Sequence, residues 1–147
     1  MIRLTKIFTF ETGHALYGYD GKCKNIHGHS YKLFVTIKGR PIEDANNPKL
    51  GMVMDFGDLK KIVNEEIVDQ LDHAVLLNEN TTHRALGNQL KESGHHVIFT
   101  SYQPTCENML IDFADKIQKR LPDHVQLASL KLYETENSFG QWIASDQ

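Results

Sequence analysis

Apolar and polar residues alternate most regularly between residues 29 and 38. Tyr31, Leu33, Val35 and Ile37 occupy one parity, and Lys32, Phe34, Thr36 and Lys38 the other. Successive side chains of a strand point to opposite faces, so this segment is predicted to be a β-strand with one buried side. Residues 2–12 follow the same pattern less strictly, with Leu4, Phe8 and Phe10 sharing a parity. Residues 126–134 alternate again, with Leu130 and Leu132 opposed to Lys131 and Tyr133. The short apolar runs at 52–56 and 97–99 read as two brief strands. Between the first two strands, Gly18, Asp20, Gly21 and Asn25 mark residues 15–26 as a loop, and Pro41 to Pro48 is a polar turn region.

The period then changes to that of a helix. Asp55-Phe56-Gly57-Asp58 places acidic residues where a helix begins, and Leu59, Ile62, Val63, Ile67 and Leu71 follow as one apolar stripe. A second helix starts at Pro104-Thr105, with Thr105 as N-cap, turns Leu110, Phe113, Ala114, Ile117 and Leu121 inward, and stops at Pro122. Residues 79–96 are polar and contain Gly87, Gly94 and His83, His95 and His96, so they are expected to be irregular, with these histidines and His124 facing solvent. Two amphipathic helices on a mainly antiparallel sheet make an α+β domain.

Composition narrows the class without choosing a function. The 147 residues, 40% hydrophobic and 24% charged, suit a single globular domain over residues 1–147. A net charge of −3 gives no reason to expect a nucleic-acid or anionic-membrane partner. No apolar run approaches the roughly 20 residues that span a bilayer. With two cysteines, Cys23 and Cys106, and no signal-peptide anatomy at the start, the expectation is a cytoplasmic protein without a disulfide framework.

Chemistry concentrates at the first loop. His27-Gly28-His29 lies where the loop becomes the best-patterned strand, and residues i and i+2 of a strand share a face. With 8 histidines in the chain, about 0.4 such pairs arise by chance, so the motif needs context. His14, at the end of the first strand, supplies it, because pairing of the two strands as a hairpin brings it beside His27. Three histidines without a fourth protein ligand describe a catalytic zinc site with a coordination position left open; iron, copper and nickel also accept imidazole. The bland alternative, hydrogen-bonding or surface histidines, has roughly even odds on these residues alone.

Cys23, four residues before His27, is a candidate base between Lys22 and Lys24, whose charges favour a thiolate. Its other role, as a fourth ligand, would close the site. Asp72-His73 is a candidate relay, although adjacent residues seldom hydrogen-bond well and an ordinary helix end explains them on spacing alone. Glu134 closes the last strand and Glu107 lies in the first turn of the second helix; each has a simple structural reading as a solvated end or a dipole complement. Cys106 is expected to pack at the helix start.

Taken in order, His14, Cys23-x-x-x-His27-Gly28-His29, Met54-Asp55-Phe56, Leu71-Asp72-His73, Pro104-Thr105-Cys106-Glu107-Asn108 and Tyr133-Glu134-Thr135 resemble the 6-pyruvoyltetrahydropterin synthase superfamily. The resemblance runs from about residue 5 to 140. The three residues between Cys23 and His27 are similar to the 6-carboxytetrahydropterin synthase branch of the queuosine pathway.

The resemblance implies a tunnelling fold: a four-stranded antiparallel sheet with two helices on one face, assembled into an oligomeric barrel as a trimer or a hexamer, with active sites between subunits. It implies Zn2+ on His14, His27 and His29, Cys23 as proton acceptor, and Asp72 and His73 in a relay. Glu134 would anchor a pterin triphosphate substrate, with Glu107 and Thr105 as further pocket residues. The implied reaction converts 7,8-dihydroneopterin triphosphate to 6-carboxytetrahydropterin. The alternatives are the sister reaction forming 6-pyruvoyltetrahydropterin and a non-catalytic pterin- or metal-binding module. Residues 79–96 and Cys106 depart from the family pattern.

Overall fold

The computed structural model describes residues 1–147. Strand β1 (Ile2–His14) and strand β2 (His27–Gly39) form a long antiparallel hairpin whose register runs unbroken from Ile2↔Gly39 to His14↔His27. Helix α1 starts at Phe56–Val63, passes through a π-turn at Asn64–Val68 and ends at Asp69–Leu71. Strand β3 (Ala74–Asn78), helix α2 (His83–Glu92) and strand β4 (Val97–Thr100) follow. Helix α3 (Cys106–Gln118) and strands β5 (Val125–Thr135) and β6 (Ser138–Ile143) complete the chain.

The strands form one six-stranded sheet in the order β4-β3-β1-β2-β5-β6. Four of them, β1, β2, β5 and β6, pair antiparallel, whereas β3 joins β1 and β4 joins β3 in parallel. The expected four-stranded antiparallel sheet is therefore corrected to a mixed sheet of six. The α+β class holds.

Alternation decides which side is covered. Phe8, Phe10, Tyr31, Leu33, Val35 and Ile37 are buried, and with Leu59, Ile67, Met109, Phe113 and Ile117 of α1 and α3 they belong to one core of 24 residues. Phe113 stands edge-on to Phe10, with ring centroids 6.3 Å apart. Both helix starts are capped as their sequences predict: Asp55 accepts from the Gly57 N–H at 2.6 Å, and Thr105 from the Asn108 N–H at 3.3 Å. Arg120 donates to Glu65 at 2.8 Å and also pairs with Glu66, tying the end of α3 to the π-turn of α1.

Two local expectations fail for physical reasons. Residues 52–56 make no strand; they lead into α1, with Asp55 as its cap. Residues 79–96 contain α2 rather than an irregular excursion. Gly87 sits inside that helix because Phe99 packs against it: a Cβ there would meet the ring at 2.4 Å. Leu86 and Leu90 pack on a small second cluster of Ala15, Leu77 and Val97, too narrow a stripe to stand out among polar neighbours.

Candidate metal centre

The hairpin builds the site. His14, His27 and His29 lie at its end with the parity of Phe10 and Tyr31, so all three imidazoles are on the helix side of the sheet. Their ligand nitrogens lie within 4.8 Å of one another. His14 and His27 have ring centroids 4.6 Å apart, and His29 lies 5.1 Å and 5.0 Å from them. His14 is buried, 2% exposed, and burial, chiefly, holds its pKa below the usual imidazole value.

The hydrogen bonds fix the tautomers. His14 Nδ1 lies 2.7 Å from the Pro104 carbonyl oxygen, and His27 Nδ1 lies 2.7 Å from the Asn25 carbonyl oxygen. A carbonyl only accepts, so each Nδ1 carries the hydrogen and each Nε2 carries a lone pair. Yet the two Nε2 atoms face each other at 3.1 Å. Two lone pairs at that distance repel unless a cation lies between them. Nitrogens sharing one tetrahedral zinc at 2.0–2.1 Å stand about 3.4 Å apart, close to the separation here. Backbone acceptors behind ligand imidazoles are the usual support of such sites. The residues fit a metal ion.

Comparison with known proteins agrees with this geometry. Residues 3–142 match the family model described as 6-pyruvoyl tetrahydropterin synthase. The chain belongs to that family. It is 32% identical over 143 residues to the 6-carboxy-5,6,7,8-tetrahydropterin synthase of Haemophilus influenzae, covering 97% of this chain and 99% of that protein. It is 33% identical to the 6-pyruvoyl tetrahydrobiopterin synthase of Dictyostelium discoideum, covering 92% and 91%. The solved 6-pyruvoyl tetrahydropterin synthase of Caenorhabditis elegans superposes with a TM-score of 0.68 over 97% of this chain and 95% of that one, at 22% identity, a likeness of fold.

Within this family member, Cys23 lies in a short turn, Lys22–Lys24, half-buried between two exposed lysines. Its carbonyl accepts from the Leu16 N–H at 3.0 Å, which closes the 15–26 loop onto the end of β1. The cluster of ligand nitrogens does not include its sulfur. Glu134 accepts from the Tyr31 hydroxyl at 3.3 Å, and Tyr31, 1% exposed, stands edge-on to His29 at 5.4 Å. Burial, then the Glu134 charge, push the Tyr31 phenol up.

Asp72 and His73 do bond each other, with Nδ1 to Oδ2 at 3.0 Å, although adjacent residues seldom manage it. His73 has a left-handed backbone, φ 60°, and its N–H donates to the Glu11 carbonyl at 2.6 Å. Asp72 also accepts from the Glu11 N–H at 2.9 Å, and these bonds hold its carboxyl below the usual range. His73 is exposed and borders one hollow of about 290 Å³ with His29. The pair hydrogen-bonds neither Cys23 nor Glu134. Thr105 spends its hydroxyl on the α3 cap, and Glu107 is exposed. Cys106 packs at the helix start, with its thiol pushed up to about 11, first by burial. His95, His96 and His124 face solvent, but His83 is half-buried against Tyr17 and its Nδ1 is buried without a partner, which corrects the expectation for it.

Sequence reasoning missed Tyr31 and Gln103. Tyr31 was within reach, being two residues past His29 on the same face. The carbonyls of Asn25 and Pro104 carry no sequence signal.

Proposed function

We propose that this chain is a zinc-dependent 6-carboxy-5,6,7,8-tetrahydropterin synthase, a lyase acting on 7,8-dihydroneopterin triphosphate and water with loss of triphosphate and acetaldehyde in queuosine biosynthesis. The observation that carries the reading is the three-histidine cluster with paired lone pairs, beside a cysteine separated by three residues from the His-Gly-His motif. End-to-end likeness to relatives of that name supports the branch.

His14, His27 and His29 would hold the zinc. The chemistry such an ion supplies is Lewis-acid polarisation of a substrate oxygen. Cys23, as thiolate, takes the acidified side-chain proton, and the charges of Lys22 and Lys24 favour its ionised state. His73, in contact with Asp72, returns a proton. Glu134 accepts from the 2-amino group and N3–H of the pterin, two adjacent donors that match its two oxygens. Thr105 and Glu107 would border the pterin, Thr105 through the helix start it caps.

Asp72 and His73 are bonded to Glu11 rather than to Cys23, so a site completed between subunits of a trimer or hexamer suits them. No helix is long and apolar enough to cross a membrane, and two free thiols suit a cytoplasmic setting. The test is incubation with 7,8-dihydroneopterin triphosphate and identification of the product by mass. 6-Carboxytetrahydropterin is expected; a 6-pyruvoyl product, or no turnover, would overturn the reading.

A further inference from the structure

The segment that backs His14 also grips the loop carrying Cys23. Pro104 supplies the carbonyl that accepts from His14 Nδ1. The residue before it, Gln103, reaches across to Tyr17 with both ends of its amide. Its Oε1 accepts from the Tyr17 N–H at 3.1 Å, and its Nε2 donates to the Tyr17 carbonyl at 2.8 Å. The adjacent Leu16 N–H donates to the Cys23 carbonyl at 3.0 Å. Thus one side-chain amide fixes the backbone of residue 17, and residue 16 fixes the backbone of residue 23.

Gln103 is itself anchored. Its carbonyl accepts from Asn108 Nδ2 at 3.0 Å and from the Thr105 N–H at 2.7 Å. The start of α3 is therefore connected by hydrogen bonds to the Cys23 turn. Within the loop, Gly18 sits at φ 73° with open space around it. The turn also has its own short-range bonds, and Asn25 joins it to His27, but the clasp is what ties the far side of the loop to the start of α3.

We infer that Gln103 is a positioning residue for Cys23, setting the thiol against the metal site through the backbone of residues 16, 17 and 23. This rests on the reading of Cys23 as the base. Gln103→Met keeps length and bulk but removes both polar ends; Gln103→Glu keeps the acceptor and loses the donor.

The test compares both variants with the wild-type, zinc-loaded protein in steady-state turnover of 7,8-dihydroneopterin triphosphate. The rate of Cys23 alkylation by iodoacetamide is followed alongside, on the Cys23 peptide by mass so that Cys106 is excluded. In Gln103→Met, kcat is expected to fall roughly 10- to 100-fold with KM within about threefold, the usual result of misplacing a reacting group by an ångström. Cys23 alkylation should change at least about threefold with zinc content constant, the thiol's access being what the clasp controls. Gln103→Glu should fall between. Unchanged kcat and alkylation in Gln103→Met, or zinc lost in step with kcat, would overturn the assignment. The alkylation arm needs no turnover, so an inactive wild-type protein would count against the proposed reaction alone.

Discussion

The Nε2 atoms of His14 and His27 face each other at 3.1 Å while each Nδ1 points at a backbone carbonyl oxygen. This pairing suits two members of one ligand set. In zinc-loaded protein, ¹H–¹⁵N spectra should therefore show both rings with Nδ1–H and without Nε2–H. Zinc should move the Nε2 resonances of both rings together with a ring resonance of His29. An Nε2–H tautomer in either ring would contradict the assignment.

Replacing Cys23 by Ala separates chemistry from binding. A general base contributes about 10²- to 10⁴-fold, so turnover should drop by that range. Zinc content and pterin affinity should stay within about twofold, because the sulfur lies outside the cluster of ligand nitrogens. Activity that survives the change would remove Cys23 from the role of base.

Asp72 provides the pH test. Its folded-state pKa is depressed, first by the Glu11 N–H and then by His73. Its charge-dependent stabilisation is therefore present above the ordinary aspartate value of about 3.9 and lost as the pH falls through the lower folded value. The difference in Tm between wild type and Asp72→Asn should narrow as the pH falls below about 4. A difference that does not vary with pH would contradict this.

Phe113 probes the core under the hairpin. It is 1% exposed and packs edge-on to Phe10. Phe113→Ala should cost about 3–5 kcal/mol, from lost transfer energy and the cavity left behind. For a domain of this size that lowers Tm by about 10 °C or more, readable by circular dichroism. A loss under about 1 kcal/mol would mean the site collapses freely around the cavity.

Much of this was legible in the chain itself. Strands with one buried parity, such as Tyr31 to Ile37, and helices with an apolar stripe, such as Leu59 to Leu71, declare themselves because one face alone meets the core. The same parity put His27 and His29 on one side and allowed His14 to join them. Two strands were less visible. Strand β3, between β1 and β4, is only five residues long, and the edge strand β6 has no buried residue to set a period. Helix α2 buries little beyond Gly87, which read as a breaker although it is there to let Phe99 approach. The contact between Asp72 and His73 occurs at a left-handed residue, which periodicity does not reveal.

The most direct measurement is the metal content of the purified chain after removal of loosely held ions, by elemental analysis beside a His14→Gln variant. The account predicts one zinc per chain in the wild type and at least a 100-fold weaker affinity once one of three protein ligands is gone, beyond the 10- to 100-fold that loss of a supporting residue costs. Less than half an ion per wild-type chain, or undiminished zinc in the variant, would contradict it.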